Sequence, residues 1–140
     1  MIRIIFKKCA HKIKYHTVRR NPVKLALFLG VNFPQGGLHI YGDVVWNTEP
    51  WIITLGNNVH ITNGVRFITH DGGTLLFRNH EPDLEVTKPI VVGDNVYIGN
   101  NAILLPGVHV GNNVVIGAGA IVTKDVPDNV VVGGGASESN

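Results

Sequence analysis

Serine is absent from residues 1–136, and cysteine occurs once, as Cys9. A lone cysteine excludes an internal disulfide. Together the two absences leave a covalent mechanism through a side chain of either kind without an obvious nucleophile. Charged residues make up only 16% of the sequence against 44% apolar, too little charge and too much apolar side chain for a disordered chain. No apolar run reaches the roughly 20 residues that a membrane-spanning helix needs, and the longest near the start, Val23 to Phe33, is too short. No stretch has the charged start, apolar centre and small-residue cleavage site of a secretory signal. These absences favour the cytoplasm. With 140 residues, two separately cored domains would each be marginal in size, so residues 1–140 read as a single domain.

Charge of one sign is also missing from the start of the chain. Arg3, Lys7, Lys8, Lys12, Lys14, Arg19, Arg20 and Lys24 all precede the first acidic residue, Asp43, although the net charge is only +2. This basic, partly helical segment, residues 1–35, is either a solvated face or a means of attraction to an anionic membrane surface or an anionic acceptor. No nucleic-acid motif or interleaved aromatic pattern accompanies the charge, so nucleic acid is not an expected partner.

A six-residue frame runs from Val92 to Pro127. Its first positions are Val92, Ile98, Leu104, Val110, Ile116 and Val122, and its fifth are Val96, Ala102, Val108, Val114, Ala120 and Val126. All are aliphatic or alanine. The fourth positions, Asn95, Asn101, Gly107, Asn113, Gly119 and Asp125, are residues that enter the left-handed backbone region more easily than others. Each hexad therefore reads as one short strand, alternating inside and outside, followed by one turn. A single hexad cannot bury its apolar face, so successive coils must stack into a solenoid.

The same frame appears upstream, with Leu55, Ile61 and Phe67 in first positions and Val59 and Val65 in fifth. It ends at His70 and resumes at Pro89, so residues 71–88 are expected to be a loop extruded from a coil. Residues 38–54 read as an irregular first coil, because Ile40 and Leu55 fit no unbroken frame. Before them, Asn21-Pro22 and Gly30 bracket Val23 to Leu29 as the cap, first residue and stop of a short helix. That helix, with a further helix in residues 2–19, is expected to cover the open end of the solenoid.

The segments Val92 to Gly99, Leu105-Pro106-Gly107-Val108 and Ile116 to Pro127 resemble the hexapeptide-repeat acyltransferases, a superfamily that includes galactoside, maltose, serine and antibiotic acetyltransferases. Glu49-Pro50-Trp51 and Val65 to Gly73 are most similar to its polysaccharide and cell-envelope O-acetyltransferases. The resemblance implies an all-β fold, a left-handed parallel β-helix over residues 38–133, with three hexads to a coil and Phe67, Leu104 and Val122 stacked at one corner. It implies a homotrimer. It also implies transfer of an acetyl group from acetyl-CoA to a hydroxyl of a sugar or cell-envelope polysaccharide, a small-molecule or glycan acceptor, with no metal required.

By position in the motif His70 matches the catalytic histidine, a residue type that titrates near working pH and suits general-base chemistry. Glu49 is expected to orient His70 or to grip the acceptor. Asn100, Ala118, Thr123 and Lys124 match contacts to coenzyme A, which in the family lies along a groove between adjacent β-helices; a lysine suits a phosphate as a point charge. Tyr97 stands where the family usually has tryptophan, and Gly133 to Ser137 depart from its usual tail. Two alternatives remain: a non-catalytic β-helix scaffold or binding module, and a γ-class carbonic anhydrase. The second needs three histidines converging on zinc, and its His-x-x-x-x-His spacing is absent after the loop.

Overall fold

The computed structural model describes residues 19–134. Its strands are two or three residues long and occur in sets, one set to each turn of a helix. The first set is β1 (Leu38–Ile40) alone. Then come β2 (Ile53–Leu55), β3 (Val59–Ile61) and β4 (Arg66–Phe67); β5 (Ile90–Val92), β6 (Val96–Ile98) and β7 (Ile103–Leu104); β8 (His109–Val110), β9 (Val114–Ile116) and β10 (Ile121–Val122); and finally β11 (Val131–Val132). Corresponding strands pair in parallel across the turns. Sheet A is β2-β5-β8, sheet B is β1-β3-β6-β9-β11 and sheet C is β4-β7-β10. The molecule is a three-sided parallel β-helix.

Alternation along these strands places the frame's first and fifth positions inside. β6 and β9 are each buried, exposed, buried, and Ile61, Ile98 and Ile116 align in register and are fully enclosed. Phe67, Leu104 and Val122 align in sheet C as expected. Each inward residue thus stacks on another apolar residue one turn away, which gives the interior the contact density that no single hexad could reach.

The corners rest on asparagine. Asn58, Asn95, Asn113 and Asn129 all have φ between 55° and 61°, a region most side chains avoid. They form one ladder: Asn58 Nδ2 donates to Asn95 Oδ1 (2.9 Å), Asn95 Nδ2 to Asn113 Oδ1 (3.1 Å) and Asn113 Nδ2 to Asn129 Oδ1 (2.9 Å). Beside it, Asp94, Asn112 and Asp128 accept through Oδ1 from the main-chain N–H of Asn57, Asp94 and Asn112 at 2.7–2.8 Å. Side chains at this corner supply the hydrogen bonds that sheets would supply elsewhere.

One expectation needs correction. The six-residue frame does not hold to Pro127. Rungs of the asparagine ladder are 18 residues apart from Asn95 to Asn113 but 16 from Asn113 to Asn129. The turn is cut short after β10: Val126 bridges Val110, a first-position residue, where the frame would set it beside Val108. Asp125 is not in the left-handed region; its Oδ1 instead accepts from His109 N–H at 2.9 Å.

At the other end, α1 (Pro22–Leu29) has Asn21 as its N-cap, with Oδ1 accepting from Lys24 N–H, and Gly30 at φ 94° as its stop. It buries Ala26, and Val31 and Trp46 complete the cover, the Trp46 ring stacking on Phe67 at 5.0 Å. The first turn is irregular, as expected: Leu38 pairs with Val59, 21 residues on, where the regular turns repeat after 18. The helix expected in residues 2–19 lies almost wholly outside the described residues.

The ladder yields a stability test. Asn113→Gly keeps the backbone conformation and removes two amide contacts, whereas Asn113→Ala also meets the left-handed penalty of about 1–2 kcal/mol. Glycine's larger unfolded-state entropy offsets part of that difference, by about 0.4–1 kcal/mol. Thermal denaturation should show both variants destabilised, with alanine worse than glycine by about 0.5–1 kcal/mol.

Candidate active site

After Phe67 the chain runs through Ile68 and Thr69 to His70 and leaves the helix. The departure is pinned. His70 bridges Thr87 antiparallel, Lys88 N–H donates to Thr69 O at 2.9 Å, and Asp71 N–H donates to Val86 O at 2.9 Å. His70 therefore sits on a hydrogen-bonded stem, although it stands at the mouth of the expected loop 71–88. Within that loop a 3-10 helix, Gly72–Phe77, starts at Asp71, whose Oδ1 accepts from Gly73 N–H at 2.8 Å. It leaves Leu75, Leu76 and Phe77 exposed.

The irregular turn above supplies the histidine's partners. Val45 bridges Arg66, so Asn47, Thr48 and Glu49 pass over the segment that carries Thr69 and His70. Asn47 turns the chain at φ 58°, and buried Pro50 opens a 3-10 turn, Pro50–Ile52, that holds Glu49 at its start. The Glu49 carboxylate meets the imidazole, with Oε2 3.1 Å from His70 Nδ1.

Each carboxylate oxygen also accepts from a threonine: Thr48 Oγ1 donates to Oε1 at 2.6 Å, and Thr69 Oγ1 donates to Oε2 at 2.6 Å. Such charge-assisted bonds favour the ionised form. The hydroxyls of Thr48 and then Thr69 lower the Glu49 pKa from its usual 4.5 to about 2; burial opposes them, and the imidazole adds a lesser lowering.

This arrangement decides the tautomer. Thr48 Oγ1 is also 3.1 Å from His70 Nδ1, and its one proton is already given to Glu49. Nδ1 therefore faces two acceptors, a carboxylate oxygen and a hydroxyl lone pair, and must carry the proton. Asn47 Nδ2 stands 3.5 Å from the same nitrogen, beyond useful hydrogen-bonding range. In the neutral ring the lone pair is on Nε2, and the His70 side chain is 38% exposed. The ring is thus held through Nδ1, with Nε2 carrying the lone pair of the neutral form.

Glu49 and His70 are thus brought together. Asn100, Ala118, Thr123 and Lys124 are not. Asn100 and Ala118 lie one turn apart at the corner between sheets B and C, where Asn100 O accepts from Gly119 N–H at 2.7 Å and a Cβ at Gly99 would stand 2.5 Å from Ala118 N. Thr123 and Lys124 lie at the far edge of sheet C, after β10. The two pairs flank the outer face that carries Ile103 and Ile121.

Those isoleucines are half-buried. More open is the outer face of sheet B, where Tyr97, Val115 and Val131 align and are 44%, 41% and 78% exposed. Sequence reasoning missed Thr48 and Thr69. Thr69 falls at an ordinary turn position of the frame, and it is buried only because Glu49 and the loop stem close over it.

Residues 89–124 match the family described as bacterial transferase hexapeptide (six repeats). Protein CapG of Staphylococcus aureus is 54% identical over 89 residues, which are 64% of this chain and 52% of that protein. A galactoside O-acetyltransferase of Escherichia coli is 41% identical over 93 residues, 61% of this chain and 42% of that protein. The crystal structure of a maltose O-acetyltransferase from Clostridium difficile 630 superposes with a TM-score of 0.63 at 25% identity, covering 92% of this chain and 80% of that one. The chain spans about half the length of the curated relatives it matches. The fold is the all-β, left-handed parallel β-helix expected from the sequence.

The depressed Glu49 pKa has a measurable sign. Its folded value lies below the unfolded one, so the carboxylate's contribution to stability is complete above pH 4.5 and is lost as pH falls towards about 2. The stability difference between wild type and Glu49→Gln, followed by denaturant unfolding, should be level above this window and shrink within it.

Proposed function

We propose that this chain, a member of the hexapeptide-repeat superfamily, transfers an acetyl group from acetyl-CoA to a hydroxyl of a sugar or cell-envelope polysaccharide, with His70 as the general base. The observation that carries this reading is the fixed Nδ1–H contact of His70 with ionised Glu49, which leaves Nε2 free. The acceptor hydroxyl gives its proton to Nε2 as its oxygen attacks the thioester carbon. The tetrahedral oxyanion then collapses, the C–S bond breaks, and the coenzyme A thiolate recovers the proton from the imidazolium. Glu49 stabilises that transient cation while keeping the ring's orientation.

Attack is direct in this reading, since serine is absent from residues 1–136 and Cys9 lies far outside the motif. The names of relatives that act on galactosides and maltose support a sugar acceptor. Coenzyme A would run in a groove between copies of the chain. Asn100 and Ala118 sit on glycine-backed turns that allow close main-chain approach, and Thr123 and Lys124 add a hydroxyl and a cation for phosphate. A homotrimer would cover the exposed Tyr97, Val115 and Val131 stripe. Among the described residues no helix is long and apolar enough to cross a membrane; the basic segment from Arg3 to Lys24 would favour peripheral contact with an anionic surface on the cytoplasmic side.

General-base catalysis contributes roughly 10²- to 10⁴-fold, and His70→Ala should lower turnover of acetyl-CoA with a galactoside acceptor by about that factor. Assembly and coenzyme A affinity should be unchanged. Wild-type turnover in this variant, or a stable acetylated protein formed from acetyl-CoA alone, would contradict the mechanism. Sedimentation at micromolar concentration should show a trimer; a monomer would remove the shared groove.

A further inference from the structure

Among the described residues only two polar side chains are buried, Thr62 and Thr69. Their hydroxyls are used differently. Thr62 Oγ1 donates to the main-chain carbonyl of Ile98 at 2.8 Å, one turn below, and so serves the stacking of the helix. Thr69 Oγ1 donates at 2.6 Å to Glu49 Oε2, the same oxygen that accepts from His70 Nδ1. A buried hydroxyl carries a desolvation cost that valine, of nearly the same shape, would not. The bond to a carboxylate is strong enough to offset it.

The two threonines that clamp Glu49 are not equivalent. Thr48 is exposed, so water can replace its hydroxyl on Oε1. Thr69 is 0% exposed and lies under the stem that Lys88 N–H closes onto Thr69 O, so its hydroxyl holds Oε2 from the enclosed side of a carboxylate whose side chain is 24% exposed. The geometry points to Thr69 as a positioning residue: its buried hydroxyl fixes the Glu49 carboxylate against His70 Nδ1 and so holds the neutral imidazole with its lone pair on Nε2. Thr69 touches neither acceptor nor donor. The inference rests on the reading of His70 as the base only for its catalytic consequence; the tautomer itself can be read in the protein alone.

Nitrogen-15 NMR of the His70 ring in the full chain, at a pH where the ring is neutral, reports which nitrogen carries the proton. Wild type should show the Nδ1–H form. Thr69→Val should shift the resonances towards a mixture of both tautomers, because the carboxylate is then held only through Oε1 by exposed Thr48 and Oε2 can turn away from the ring, and Thr69→Ser, which restores a hydroxyl, should return them. Thr62→Val is the control for a buried hydroxyl with no path to His70: it should lower the melting temperature and leave the ring resonances in place. Thr69→Ala serves where valine does not fit the site, with the same shift expected. Unmoved resonances in Thr69→Val and Thr69→Ala, whatever their melting temperatures, would overturn the inference. A shift in these variants alongside wild-type turnover in His70→Ala would leave the positioning role standing and remove the base reading instead.

Discussion

At the corner between sheets A and B, an asparagine held in the left-handed backbone region passes its amide proton to the asparagine one turn on. The rest of the molecule depends on this repeated contact. A left-handed residue turns the chain through the corner, and the amide bond fixes how far one turn is rotated against the next. Only then do Ile61, Ile98 and Ile116 fall directly over one another. The strands are too short to set their own register, so the corners set it for them.

The candidate site lies where this regularity is interrupted twice. Above it, the first turn is longer than the regular turns, with an offset of 21 residues against 18, and its extra residues fall in the stretch that contains Asn47 to Glu49. Beside it, the chain leaves the helix after His70. Each interruption supplies half of the constellation: the irregular turn brings the carboxylate, and the broken turn brings the histidine. The regular turns below contribute alignment, with Leu104 and Val122 stacked under Phe67 so that the segment leading to His70 starts from a fixed point.

Most of the helix was legible in the sequence because a six-residue period with aliphatic residues at two fixed positions admits few other structures. α1 was legible for a different reason, its cap, first residue and stop being local signals. What the period could not show was its own ending. Thr123-Lys124-Asp125-Val126 reads as another hexad, and only the pairing of Val126 with Val110 reveals that the corner has been shortened. At the candidate site, His70 and Glu49 were singled out through motif resemblance. Thr48 and Thr69 were not, since neither breaks a pattern and each reaches the other half of the constellation only across 20 or 22 residues of chain, Thr69 to Glu49 and Thr48 to His70. The four residues matched to coenzyme A contacts were legible as turn residues, but their division between two edges of sheet C was not.

The excursion at residues 71–88 leaves no trace in the turns around it. Pairing across it has the same offset of 37 residues in all three sheets, so the strands below resume as though the intervening chain were not there. Its ends are closed by the His70–Thr87 stem. Lengthening a flexible loop between fixed ends adds only about 0.6 kcal/mol for each doubling. The wall beside His70 is therefore a part of the molecule that insertion, deletion or grafting can rewrite with little effect on the scaffold, and descendants of one such helix can diverge in what they admit to the site while inheriting the same histidine, carboxylate and core.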